Sequence, residues 1–161
     1  ADVLVWHPVR RGLVMAALAR SAIRQRVAAA VEAITGMTES PFIDDALTSG
    51  TARNNADGKF SVTVQSSTLS SQQRQRRTEG VELYTDIRID YLSNMRADNA
   101  VADLDAATDR GDAIIAAVSG TVSLVNLHLD LIDLTEPQQI VDQPVTQATI
   151  TYRATHRLGL Q

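Results

Sequence analysis

At 161 residues and 44% hydrophobic side chains, the chain is long enough for one domain with a real core, and its six aromatics make that core mostly aliphatic. Cysteine is absent, which excludes disulfides and thiolate metal sites, and no apolar run reaches membrane-spanning length. The net charge of −4 is unevenly placed: residues 1–77 carry +4, residues 78–161 carry −8, and fourteen of the fifteen basic residues are arginine.

The opening residues, ADVLVWHPVRRGLVMAALA, place arginines before a short apolar run, as a signal peptide does. The run is short and Arg20 and Arg24 continue the same helical pattern, so the segment reads as mature structure. Residues 8–35 read as helix. Pro8 suits a first turn, Ser21 offers a cap for a second helix after a break near Arg20, and Gly36 ends the run. Arg10, Arg11, Arg20, Arg24 and Arg26 precede the first helical acid, Glu32. Such a basic helix raises a nucleic-acid-binding reading against the plainer one of a solvated helix face.

Residues 37–58 hold turn formers, with a short strand expected around Phe42 and Ile43 and a hairpin turn at Asp57-Gly58. Lys59–Gln65 alternates as a strand. Residues 66–80 contain one large apolar side chain, Leu69, so they are expected to form a flexible arm. Its Arg74, Arg76 and Arg77 are the expected contacts to acidic groups on a partner.

Val81–Leu92 is the clearest strand. Val81, Leu83, Thr85, Ile87, Ile89 and Tyr91 share one face, and Glu82, Tyr84, Asp86, Arg88 and Asp90 share the other. A helix follows, with Val101, Leu104, Ala107, Gly111, Ile114 and Val118 as its stripe and Gly120 at its end. Val81, Leu83, Ile87, Ile89, Leu104, Ile114 and Val118 are the expected core. Leu127–Leu134 alternates as another strand, and Pro137 and Pro144 bracket a connection. Val145–Leu158 closes the chain, with Ala148, Ile150, Tyr152, Ala154 and Leu158 on one face and Thr149, Thr151, Arg153, Thr155 and Arg157 on the other. The fold class is therefore α+β: a mixed, mainly antiparallel sheet with two main helices packed on one face.

Residues with reactive chemistry do not gather into a motif. His128 and Asp130 share a strand face and His156 could lie on a neighbouring strand, which is the one metal-site arrangement to check. A G-x-S-x-G elbow and a glycine-rich phosphate loop are both missing. Asp103-x-Asp105 begins like a calcium loop but lacks its glycine and lies in a helical pattern. The residues point away from an enzyme, with no catalytic, cofactor or metal residues assigned.

VELYTDIRIDYL followed by ADNAVADLDAATDRGDAIIAAVSG, the ending ATITYRATHRLGL and the opening helix RSAIRQRVAAAVEAIT together resemble the tail terminator family of long-tailed bacteriophages, that of the phage lambda minor tail protein U. The resemblance implies a single domain over 1–161 with an N-terminal extension at 1–19 and the arm at 66–80. It implies a homo-oligomeric ring, a hexamer in that family, which caps the tail tube, ends its polymerisation and offers a surface to the head-side connector. The partners implied are other copies of the chain, the tail tube protein and the connector, with DNA only passing through the lumen. The location implied is the tail-neck region of the virion, after assembly in the host cytoplasm. Arg88, Asp90, Arg153 and Arg157, on the wet faces of the two long strands, are the candidates for the ring interface. Other head-to-tail connector or neck proteins share this size and composition and stand as the alternative, beside the nucleic-acid-binding module.

Overall fold

The computed structural model of the chain describes residues 18–40, 56–69, 81–121, 127–141 and 143–158. Its elements are α1 (Arg20–Glu32), β1 (Thr38–Glu39), β2 (Lys59–Leu69), β3 (Val81–Asn94), a 3-10 turn (Ala97–Asn99), α2 (Ala100–Thr121), β4 (His128–Gln139) and β5 (Val145–Leu158). The five strands form one sheet in the order β1-β2-β3-β5-β4. Only β1 and β2 run parallel; the other three pairings are antiparallel. The fold is α+β.

The alternation read from the sequence decides which sheet face is covered. Ile87 and Ile89 of β3, Phe60 and Val62 of β2, and Ile150 and Tyr152 of β5 are buried with Ile23, Val27 and Val31 of α1 and Ile114 and Val118 of α2 in one apolar cluster. Both helices therefore lie on the same face. Of the expected core, Leu83, Ile87, Ile89, Ile114 and Val118 are buried, while Val81 and Leu104 are only partly covered; Val101, placed in the helix stripe, is exposed. α2 approaches β3 closely at Gly111, where a Cβ would collide with the Tyr91 hydroxyl. That hydroxyl donates to the Ala107 carbonyl at 3.2 Å. Burial, with Glu136 and Asp112 nearby, pushes the Tyr91 phenol up to about 12, so it remains a donor.

Several boundaries differ from the sequence reading. α1 starts at Arg20, where the sequence offers a break, but without a side-chain cap, so Ser21 does not cap it. The reason is tertiary: the Leu18 N–H donates to the Arg157 carbonyl at 2.8 Å, which draws residue 18 out of the helix and along β5. Residues 1–17 lie outside the described residues, as does the strand expected at Phe42 and Ile43. β1 lies earlier, at Thr38–Glu39, and Asp57-Gly58 turns into β2 without forming a two-strand hairpin. Gly58 has φ +78 and a Cβ there would strike the Gly36 carbonyl, so this crossing requires glycine.

β2 continues to Leu69, which removes Ser66–Leu69 from the expected arm. A bulge at Gln65 shifts the register, so that Ser66 faces Asp86 and Ser67 faces Thr85. The Ser66 hydroxyl donates to Asp86 at 3.2 Å, so polar cross-strand bonds replace the apolar alternation there. β4 likewise runs through Pro137 to Gln139. It is an edge strand with register breaks between Leu131 and Asp133 and between Thr135 and Gln138, where a missing proline N–H breaks no ladder bond.

Candidate functional site: the uncovered face of β3 and β5

β3 and β5 pair over fourteen residues with no register shift. On the face away from the helices this places Glu82 opposite Arg157, Asp86 opposite Arg153 and Asp90 opposite Thr149. The three acids recur every four residues on β3, so every second pair on this face joins a carboxylate to a donor. Arg153 Nε reaches Asp86 Oδ1 at 2.9 Å and its Nη2 reaches Oδ2 at 3.3 Å, a two-point guanidinium–carboxylate bond. That bond raises the Arg153 pKa above its ordinary value. Arg157 Nε lies 3.8 Å from Glu82 Oε2. Asp90 is buried among its neighbours; Oδ1 accepts from Thr149 Oγ1 at 2.7 Å and Arg88 Nε at 3.0 Å.

All four ring-interface candidates therefore share one surface. The structure also shows that each already has a partner within the chain. Alternation places Asp86 and Glu82, the partners of Arg153 and Arg157, on the same wet face without marking them as partners. The signal for them is the match between acids at 82, 86 and 90 and the β5 donors that antiparallel pairing sets against them. Arg74, Arg76 and Arg77 lie outside the described residues.

The possible metal site does not assemble. His128 Nε2 is 2.9 Å from Asp130 Oδ1 on the uncovered face, whereas His156 pairs with Leu83 and is buried on the helix side. Among the described residues, no group of three His, Cys, Asp or Glu could hold an ion. His156 serves the fold instead. Its Nδ1 donates to the Leu18 carbonyl at 2.9 Å, so its Nε2 accepts from the Thr85 hydroxyl at 2.7 Å. Burial lowers its pKa against the opposing effect of the Leu18 bond, and the Arg20 charge lowers it further.

A polar hollow between the end of β3 and α2 is lined by Asp57, Ser93, Asn94, Arg96, Asp103, Ala106 and Arg110. Arg110 crosses it, bonding Asp57 Oδ1 at 2.8 Å, Ser93 Oγ at 2.7 Å and the Leu92 carbonyl at 3.2 Å. Burial raises the Asp57 pKa, but bonds from Arg110 and the Asn94 N–H outweigh it and hold the carboxyl below its ordinary value. The arginine acts as a clip between the turn into β2, the end of β3 and α2. The basic helix is also partly neutralised, because Arg24 Nη1 pairs with Glu39 Oε1 at 3.0 Å; Arg20 keeps its charge and donates to the Ser67 hydroxyl at 3.4 Å.

Among the described residues, no helix is long and apolar enough to cross a membrane. No protein-family model and no curated protein matches the sequence.

Proposed function

We propose that this chain is a phage structural protein, a tail terminator that acts as a homo-oligomeric ring. Copies of the chain close into a ring, a hexamer by the resemblance, at the end of a completed tail tube. One ring face matches the last tube ring; the other denies a site to the next tube subunit and meets the head-side connector. The mechanism is steric and interfacial, and no residue is assigned a catalytic role. DNA passes through the lumen, and the place of action is the tail-neck region of the virion.

The observation that supports this reading is the uncovered β3–β5 face. Two fourteen-residue strands present a registered row of carboxylates and guanidiniums there. Arg88 and Arg153 side chains remain 37% and 46% exposed despite their pairs, so these planar, multidentate groups stay within reach of water and of a second molecule. The test adds purified protein to growing tail tubes. Elongation should stop, with one ring at the tube end. Replacing Arg74, Arg76 and Arg77 with serine should leave folding intact and block that arrest; tubes that lengthen unchanged with the wild-type protein contradict the reading.

A further inference from the structure

Among the described residues the sheet ends in two edges of opposite character. At one, β4 is only loosely covered by the helix layer. Leu131 and Leu134 lie on the helix side of β4, opposite Tyr152 and Ile150, yet are 45% and 43% exposed. Ile132, in the first register break, is 43% exposed. The same strand carries Asp130, Asp133 and Glu136 and no lysine or arginine. Asp133 has no ion-pair partner among the described residues, whereas Asp130 pairs with His128.

At the other edge, among the described residues, β1 pairs with Lys59 and Phe60 of β2. Beyond them the outward Val62 carbonyl is met by Arg24 Nη1 at 3.5 Å. α1 lies along this edge, and α1, β1 and β2 together hold Arg20, Arg24, Arg26 and Lys59 against Glu32 and Glu39. Val64 is half-buried and Leu69, at the far end of β2, is 64% exposed. One edge is thus acidic and apolar, the other basic with apolar residues of its own.

We infer that the β4 edge of one copy docks against the α1–β2 edge of the next. Charge decides the geometry. Pairing β4 with β4 sets three carboxylates against three, and pairing α1–β2 with itself sets arginines against arginines; both two-fold arrangements are repulsive. Only the head-to-tail contact joins opposite charges, and that kind of contact closes into a ring where its rotation closes. The complementarity is one of net charge between whole edges, attenuated over about 8 Å at physiological salt. Side chains make the contact more than a continued ladder does, because the register breaks and Pro137 interrupt the β4 edge. This inference rests on the ring reading for its stoichiometry, but identifies the surfaces independently of where the ring acts.

Two folded variants separate the possibilities. Ile132→Lys with Asp133→Arg spoils the β4 edge; Arg20→Glu with Arg26→Glu spoils the other. All four side chains are exposed, so thermal melting should stay near wild type, and Asp133→Arg alone is the reserve if the double variant melts early. Measured by sedimentation, each variant alone should be monomeric at tenfold the concentration at which the wild type assembles. Mixed, they should give one species of twice the monomer mass and nothing larger, because each keeps one intact edge. An oligomeric wild type whose mass either variant preserves, or a mixture that stays monomeric, overturns the edge assignment and leaves the ring reading standing. A wild type monomeric at every concentration overturns both.

Discussion

The two faces of the β3–β5 ladder are made by the same strands, residue for residue, yet differ in what they hold. Ile87 is fully buried beneath the helices, and its neighbour Arg88 points to the uncovered side. On the first face, burial of apolar area drives folding, with Ile89, Ile150 and Tyr152 beside Ile87. On the second, ion pairs lie in register but half in water, where such pairs add little stability. The difference separates two tasks. The covered face makes the domain stable, and under the proposed function the uncovered face meets another molecule.

That contrast can be broken most directly at adjacent residues. Ile87→Ala should cost about 2–5 kcal/mol in chemical denaturation, the range for deleting a fully buried aliphatic side chain. A loss below about 0.5 kcal/mol would mean that the face is not the core, because exposed sites typically respond on that scale. Gly111→Ala should follow at about 1–3 kcal/mol, since the new Cβ meets the Tyr91 hydroxyl. Tyr91→Phe in the same chain should recover part of that loss by removing the oxygen. Arg88→Ala should cost within about 1 kcal/mol, as expected for a partly exposed pair.

His156 sharpens the comparison by pH. Its folded pKa is lowered, so the unfolded chain binds the proton more readily. The stability it contributes is complete above its unfolded pKa, roughly 6.5, and is lost as pH falls below that value toward the folded pKa. Melting temperature should therefore drop between pH 7 and acid, and His156→Leu should flatten that part of the curve. A wild-type slope unchanged by the substitution would place the titration elsewhere.

How much of this was readable in advance depended on period. β3, β5 and α2 were legible because Ile87, Ile89, Ile150 and Ile114 recur at spacings that only one face can satisfy. The wet-face candidates Arg88, Asp90, Arg153 and Arg157 followed from the same alternation, although their partners within the chain needed the antiparallel register. Ser66–Leu69 was not legible as strand, because its bonds to β3 are made by hydroxyls and leave no apolar signal. Nor was Pro137, whose place is permitted only by the edge position of β4. The start of α1 agrees with the break read near Arg20, but the bond of Leu18 to Arg157, 139 residues away, is one that no local propensity encodes. The unlike edges were equally hidden, since the charge imbalance between the halves of the chain acquires a location only when the strand order is known.

The central claim is that charge on unlike surfaces joins copies of this chain into a closed ring. Native mass measurement across salt concentration tests it most directly. The account predicts one discrete oligomer, a hexamer by the resemblance, at low salt, dissociating as salt rises because the charges that join the copies are partly exposed and screened. A chain that stays monomeric at every salt concentration, or an oligomer whose mass is the same at low and high salt, would contradict it.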